Sequence, residues 1–122
     1  MNKIPALSEG EIYIGCYSLS NILIHVILLP GDSDDASWED QMAWAVSVGG
    51  DLPNRIEQAL LWRKCPGQFK QDAYWSNETY SAEEPDWSWQ MYFGNGNTDY
   101  DHKRKKFRAR AVRRVLVEMG GE

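Results

Sequence analysis

The chain has 122 residues, a formal charge of −5, a quarter of its residues charged and an aromatic share raised by six Trp and six Tyr. That length accommodates one domain and one core, so the chain reads as a single domain over 1–122, and the composition excludes a disordered polymer. The longest apolar run, Ile22 to Leu29, is eight residues and contains His25, whereas a bilayer span takes about 20, which predicts no membrane partner.

Ile12, Ile14 and Cys16 alternate with Tyr13, Gly15 and Tyr17, the period of a half-buried strand. Ser18 to Asn21 is turn material, and Ile22 to Leu29 reads as a more deeply buried strand, so the chain opens on a hairpin. Pro30-Gly31-Asp32-Ser33-Asp34-Asp35 predicts an acidic loop. Ser37 then caps a first helix, with Asp40 in its first turn, with Trp38, Met42 and Ala45 on one face and Gly49-Gly50 as the stop. Asn54 and Glu57 form a capping box for a second helix, on which Ile56, Ala59, Leu60 and Arg63 follow at helical spacing until Cys65-Pro66-Gly67 ends it. Beyond Gln68 the apolar runs shorten. Strands are predicted at Ala73 to Ser76, Ser88 to Phe93 and Phe107 to Val117, with turns at Glu84-Pro85-Asp86 and Gly94-Asn95-Gly96-Asn97. Asn95-Gly96 favours a tight primed hairpin turn. In the last strand the alternation slips at Val112, which predicts a bulge. No strand–helix–strand alternation occurs, so the class is α+β.

Charge is unevenly distributed. Residues 1–101 hold 16 acidic and five basic side chains, and residues 102–122 hold eight basic and two acidic ones. The C-terminal cations can therefore pair with an acidic body or present a basic edge. Cys16 and Cys65 match no metal-ligand spacing and read as buried free thiols, with a disulfide between them as the lesser alternative. The N-terminus, Met1-Asn2-Lys3-Ile4-Pro5, has no apolar stretch of signal type, which predicts a protein that is cytoplasmic where it is made.

Four motifs in order, Gly49-Gly50-Asp51-Leu52-Pro53-Asn54-Arg55, Tyr74-Trp75-Ser76-Asn77-Glu78-Thr79-Tyr80, Trp89 with Phe93-Gly94-Asn95-Gly96-Asn97, and Arg110-Ala111-Val112-Arg113, resemble domain-of-unknown-function family 1566, small C-type-lectin-like domains of bacteria and phages. The resemblance covers Trp38 to Arg114, with Asn54 standing where the family has Thr. It implies a C-type-lectin-like fold: two helices flanking a small, mostly antiparallel twisted sheet, terminal strands that pair, and a loop-rich C-terminal half carrying the ligand surface. It also implies a phage or prophage setting, and association with a virion as one location.

Chemical motifs are thin. Glu84-Pro85-Asp86 is similar to the calcium-holding triplet of sugar-binding C-type lectins, but the Trp-Asn-Asp strand that completes that site is missing, so an acidic turn is the simpler reading. Asn95, Asn97, Asp99 and Asp101 alternate like ligands and read as a polar turn. His25 reads as a satisfied core histidine, and His102 has no Ser or Cys motif beside it. Formylglycine-forming enzymes of the same fold need a C-terminal cysteine pair, which Cys16 and Cys65 do not supply. No catalytic residue, metal or cofactor is assigned.

The run Lys103, Arg104, Lys105 and Lys106 is a candidate anion or nucleic-acid contact, set against a solvated loop in which Arg108, Arg110 and Arg113 pair with the acidic body. Tyr80, Trp87, Asn95, Asn97 and Tyr100 are the candidate ligand-binding residues, because Tyr and Trp give contact area at low entropic cost and amides add adaptable hydrogen bonds. Trp75, Trp89 and Phe93 are assigned to the core. The expected function is a non-catalytic recognition module for a protein or glycan, with no oligomeric state assigned. Its rivals are a small tail component of a virion and an intracellular effector acting through the basic loop, with nucleic acid the less favoured partner.

Overall fold

In the computed structural model, which describes residues 3–120, the opening hairpin forms as β1 (Ile12–Leu19) and β2 (Ile22–Leu28). Its turn places Ser20 at φ 53°. A register shift between Tyr13 and Gly15, with Gly15 at φ 143°, bulges β1 and reverses its faces. Ile14 consequently points into the core, Tyr17 joins it, and Cys16 is exposed, not buried as its alternation with Ile14 predicted. Cys65 is half-buried at the end of the second helix, and both thiols are free.

The acidic segment is not all loop. Ser33–Ala36 is a short strand, β3, because Asp32 and Asp34 both pair with Arg108 and draw the segment against the strand that carries it. Helix α1 (Trp38–Ser47) starts at Ser37, whose hydroxyl accepts from the Asp40 amide at 3.2 Å. It stops where Gly49 takes φ 89° and the Gly50 amide donates to the Ala45 carbonyl. A Cβ at Gly50 would lie 2.4 Å from the Val112 carbonyl oxygen, so that position is closed to any side chain.

Helix α2 (Arg55–Lys64) carries the predicted capping box, with Asn54 and Glu57 exchanging hydrogen bonds of 2.8 and 2.9 Å. Of the four residues at helical spacing, Leu60 packs against the first core cluster, whereas Ile56, Ala59 and Arg63 face water and Glu57, Gln58 and Leu61 are buried. Polar residues turn inward because partners wait for them: Arg114 and Tyr17 for Glu57, and the Tyr74 carbonyl for Gln58.

After a short 3₁₀ turn (Pro66–Gln68), the chain forms β4 (Ala73–Ser81), β5 (Glu84–Tyr92), β6 (Asn97–His102), β7 (Phe107–Ala109) and β8 (Val112–Glu118). One predicted turn is strand instead: Glu84-Pro85-Asp86 opens β5, with the turn displaced to Ala82-Glu83. The turn at Gly94-Asn95-Gly96 forms, but from Asn97 on the alternating polar residues read as a turn are the edge strand β6, paired along β5. The primed turn type is absent. Four residues, 93–96, separate the paired Tyr92 and Asn97, and only Gly96 has positive φ, because Phe93 leaves the hairpin to stack on Phe69 at 3.9 Å in the core.

The expected bulge at Val112 is a change of sheet. β7 belongs to a five-stranded sheet of order β3-β7-β4-β5-β6, and β8 to a three-stranded sheet of order β1-β2-β8. At the crossing, Arg110 donates to the Leu29 and Gln68 carbonyls, each at 2.7 Å. All strand pairs are antiparallel except β4 with β7, so the class is α+β with two helices and a mostly antiparallel sheet set. One core cluster joins Ile14, Val26, Leu28, Leu61, Tyr74 and Met91, and the other gathers Ala45, Leu52 and Trp75 beside α1. No helix of the described residues is long and apolar enough to cross a membrane.

Candidate recognition face

Side chains alternate along a strand, so Trp87, Trp89 and Met91 share one face of β5. Met91 is buried with Leu61 and Tyr74 in the first core cluster. Trp89 and Trp87 are only half-buried, and the core assignment of Trp89 is corrected accordingly; Trp75 and Phe93 are buried as expected. The register of β5 with β6 sets Tyr100 opposite Trp89 and His102 opposite Trp87.

Five rings meet there. Trp89 and Tyr100 lie 5.4 Å apart edge to face, Trp87 and His102 5.5 Å apart, and Trp87 and Tyr100 6.1 Å apart. Tyr80 comes across from β4 to stack on Tyr100 at 3.8 Å. Arg55, the first residue of α2, holds its guanidinium 3.6 Å from the Trp89 ring centre and its amide on the Glu78 carboxylate. Tyr100 remains 39% exposed, so a row of contacting rings still faces water. Its phenol is held above the ordinary value, first by the neighbouring Tyr80 and then, among charged groups, by Asp99 and Glu84.

The structure divides the predicted ligand set. Tyr80, Trp87 and Tyr100 belong to the ring row, whereas Asn95 and Asn97 sit at the opposite end of the β5–β6 hairpin. There they line a cleft of about 630 Å³ with Gln90, Tyr92, Thr98 and Asp99. Trp89, Arg55 and His102 are the members that sequence reasoning missed. The two-residue spacing of Trp87 and Trp89 signals a shared face, but Arg55 arrives from a helix 34 positions upstream of Trp89 with no local signal.

The basic run is partly tied down, with Arg104, Lys105 and Lys106 exposed. Lys103 donates to the Thr79 hydroxyl at 2.8 Å and lies 4.0 Å over the Trp38 ring. Lys105 pairs with Asp101 at 2.9 Å, and Arg104 turns toward His102 Nδ1. A second recess of about 510 Å³ is lined by Trp38, His102, Lys103 and Arg104 together with Glu39 and Asp86, so its charge is mixed. Of the more C-terminal cations, Arg108 pairs with Asp32 and Asp34 and Arg113 with Glu11, as the acidic-body reading expects. Arg110 donates to carbonyls and meets no carboxylate among the described residues, which corrects that reading for one residue.

His25 is buried and only half satisfied: Nδ1 lies 2.8 Å from the Tyr13 hydroxyl, while Nε2 has no partner among the described residues. No cluster of three His, Cys, Asp or Glu suited to a metal ion occurs among the described residues. No protein-family model and no curated protein matches the chain.

Proposed function

We propose that this chain is a non-catalytic recognition module of C-type-lectin-like fold that holds a protein or glycan ligand on the β4–β6 face. The observation that carries the reading is the row Tyr80, Trp87, Trp89, Tyr100 and His102, five rings in mutual contact on a partly open sheet face. Aromatic side chains held by one another lose little freedom on binding, and recognition hot spots are enriched in Trp, Tyr and Arg. The fold assignment is supported by the α+β class, by the pairing of the hairpin with the C-terminal strand β8, and by the motif resemblance described above. The phage or prophage setting, with a virion as one destination, rests on that resemblance.

Of the two rivals, the effector acting through the basic loop draws little support, since Lys103 and Lys105 are engaged within the protein. The decisive test is capture from cell lysate and from cell-surface material, with tagged wild type beside a Trp87→Ala/Tyr100→Ala variant shown to be folded. A ligand kept by wild type and lost by the variant supports the face. A ligand kept equally by both refutes it.

A further inference from the structure

The three-stranded sheet leaves the outer edge of β8 open. Asp51 and Val112 exchange backbone hydrogen bonds of 2.9 and 2.8 Å on the side of β8 that faces away from β2. Backbone groups alternate sides along a strand, so the amides and carbonyls of Arg114, Leu116 and Glu118 point the same way as those of Val112. None of them has a backbone partner among the described residues. Met119, at the next position, turns back to the hairpin, with its amide on the Asn21 carbonyl at 2.7 Å.

Edge strands are normally guarded against pairing with another chain, and the other edges of this protein are guarded. β1 is bulged at Gly15, β3 has only four residues, and β6 carries Asp99 and Asp101 with no aliphatic side chain. β8 has no proline, no lysine and no register shift. Arg114 is turned in on Glu57 and Asp51, and Leu116 stands at the edge 61% exposed. Val115 and Val117 lie on the other face of the strand and are half-buried. The segment Arg114-Val115-Leu116-Val117-Glu118 is chemically complementary to its own reverse: cation meets anion, valine meets valine and leucine meets itself.

We infer that two copies of this chain pair through β8, antiparallel about a twofold axis at Leu116. Asp51 closes the edge at Val112, so the pairing starts at Arg114, and an axis at Leu116 is the register that engages every open backbone group from 114 to 118. Arg114 then lies opposite Glu118 of the second copy, Val115 opposite Val117, and Leu116 opposite its own equivalent. The two three-stranded sheets become one continuous sheet. The ring row belongs to the other sheet, so the pairing is independent of the proposed recognition face and gives each assembly two copies of it.

The test is sedimentation velocity over a concentration series, with amide hydrogen exchange measured at the same concentrations. Wild type should pass from monomer to dimer as concentration rises. Over that range the Leu116 and Glu118 amides should slow by about tenfold or more, as amides newly held in a ladder do. Leu116→Lys sets two like charges at the axis and should stay monomeric. That side chain is exposed, and the outward backbone groups of Leu116 take no part in the ladder to β2, so its unfolding midpoint should match wild type. Wild type that stays monomeric at every concentration overturns the inference and leaves the edge to an extended segment of another protein. A dimer in which those two amides exchange as fast as in the monomer overturns it too, as does a dimer that Leu116→Lys leaves intact.

Discussion

On the side of the three-stranded sheet, charge is matched almost group for group. Arg114 meets the fully buried Glu57 at 2.6 Å and Asp51 at 2.8 Å, and Arg113 meets Glu11 at 2.9 Å. At the β4–β6 face the carboxylates of Glu83 and Glu84, in and beside the β4–β5 turn, form no ion pair among the described residues, and rings stand half open to water. The first region uses polar groups to fix strands and helix to one another, since an unpaired buried charge is costly. The second has polar and aromatic groups that the fold does not consume. One region is closed by its own charge pairs, and the other is the face we propose a ligand covers.

Breaking the closed side should have the largest effect. Arg114→Met leaves Glu57 buried beside Tyr17 without its cation, and should cost about 3–5 kcal/mol in denaturant unfolding. The hydrogen bond that Arg114 donates to Glu57 is the main cause of the raised Arg114 pKa. On the open side, Trp87→Ala and Tyr100→Ala should each weaken ligand binding by about 2 kcal/mol, roughly thirtyfold in Kd by calorimetry. Both should leave the unfolding midpoint much less affected than Arg114→Met does. A Trp87→Ala protein as unstable as Arg114→Met would erase the contrast between the two regions.

A smaller effect concerns Tyr74, whose phenol is pushed up to about 12 by burial and by its hydrogen bond to Asp32. A raised folded pKa means that the folded state holds the proton more tightly. Its contribution is therefore complete below about pH 10 and is lost as pH rises through 12. Melting temperature should fall over that window, and Tyr74→Phe should flatten the decline. The smallest effect is expected at Cys16. The bulge turns it outward, so Cys16→Ser should change stability by no more than about 0.5 kcal/mol. In native wild type, Cys16 should react with a thiol reagent before Cys65, whose thiol is raised by burial.

Local chemistry was legible and distant pairing was not. The Asn54–Glu57 capping box, the Ser37 cap and the opening hairpin depend on residues within a few positions of each other, and each was readable. The buried face of α2 was not, because Glu57 and Gln58 turn inward for partners as far away as Arg114, 57 positions on. Ile56, the apolar residue beside Glu57, stays 46% exposed. β6 was missed because Asn97-Thr98-Asp99-Tyr100-Asp101-His102 has no apolar alternation, and only its register against β5 makes it a strand. Within the candidate face, composition pointed to Tyr80, Trp87 and Tyr100. Trp89 was misplaced because Met91, on the same strand face, is buried where Trp89 is not.

The central claim is that the ligand covers the ring row. The most direct measurement is fluorine NMR of protein labelled with 5-fluorotryptophan at its six Trp positions, titrated with the ligand captured by wild type. The account predicts that the Trp87 and Trp89 resonances shift and saturate together, while Trp75, fully buried in the second core cluster, does not move. Saturable shifts at Trp44 or Trp62 with Trp87 and Trp89 unmoved would contradict it.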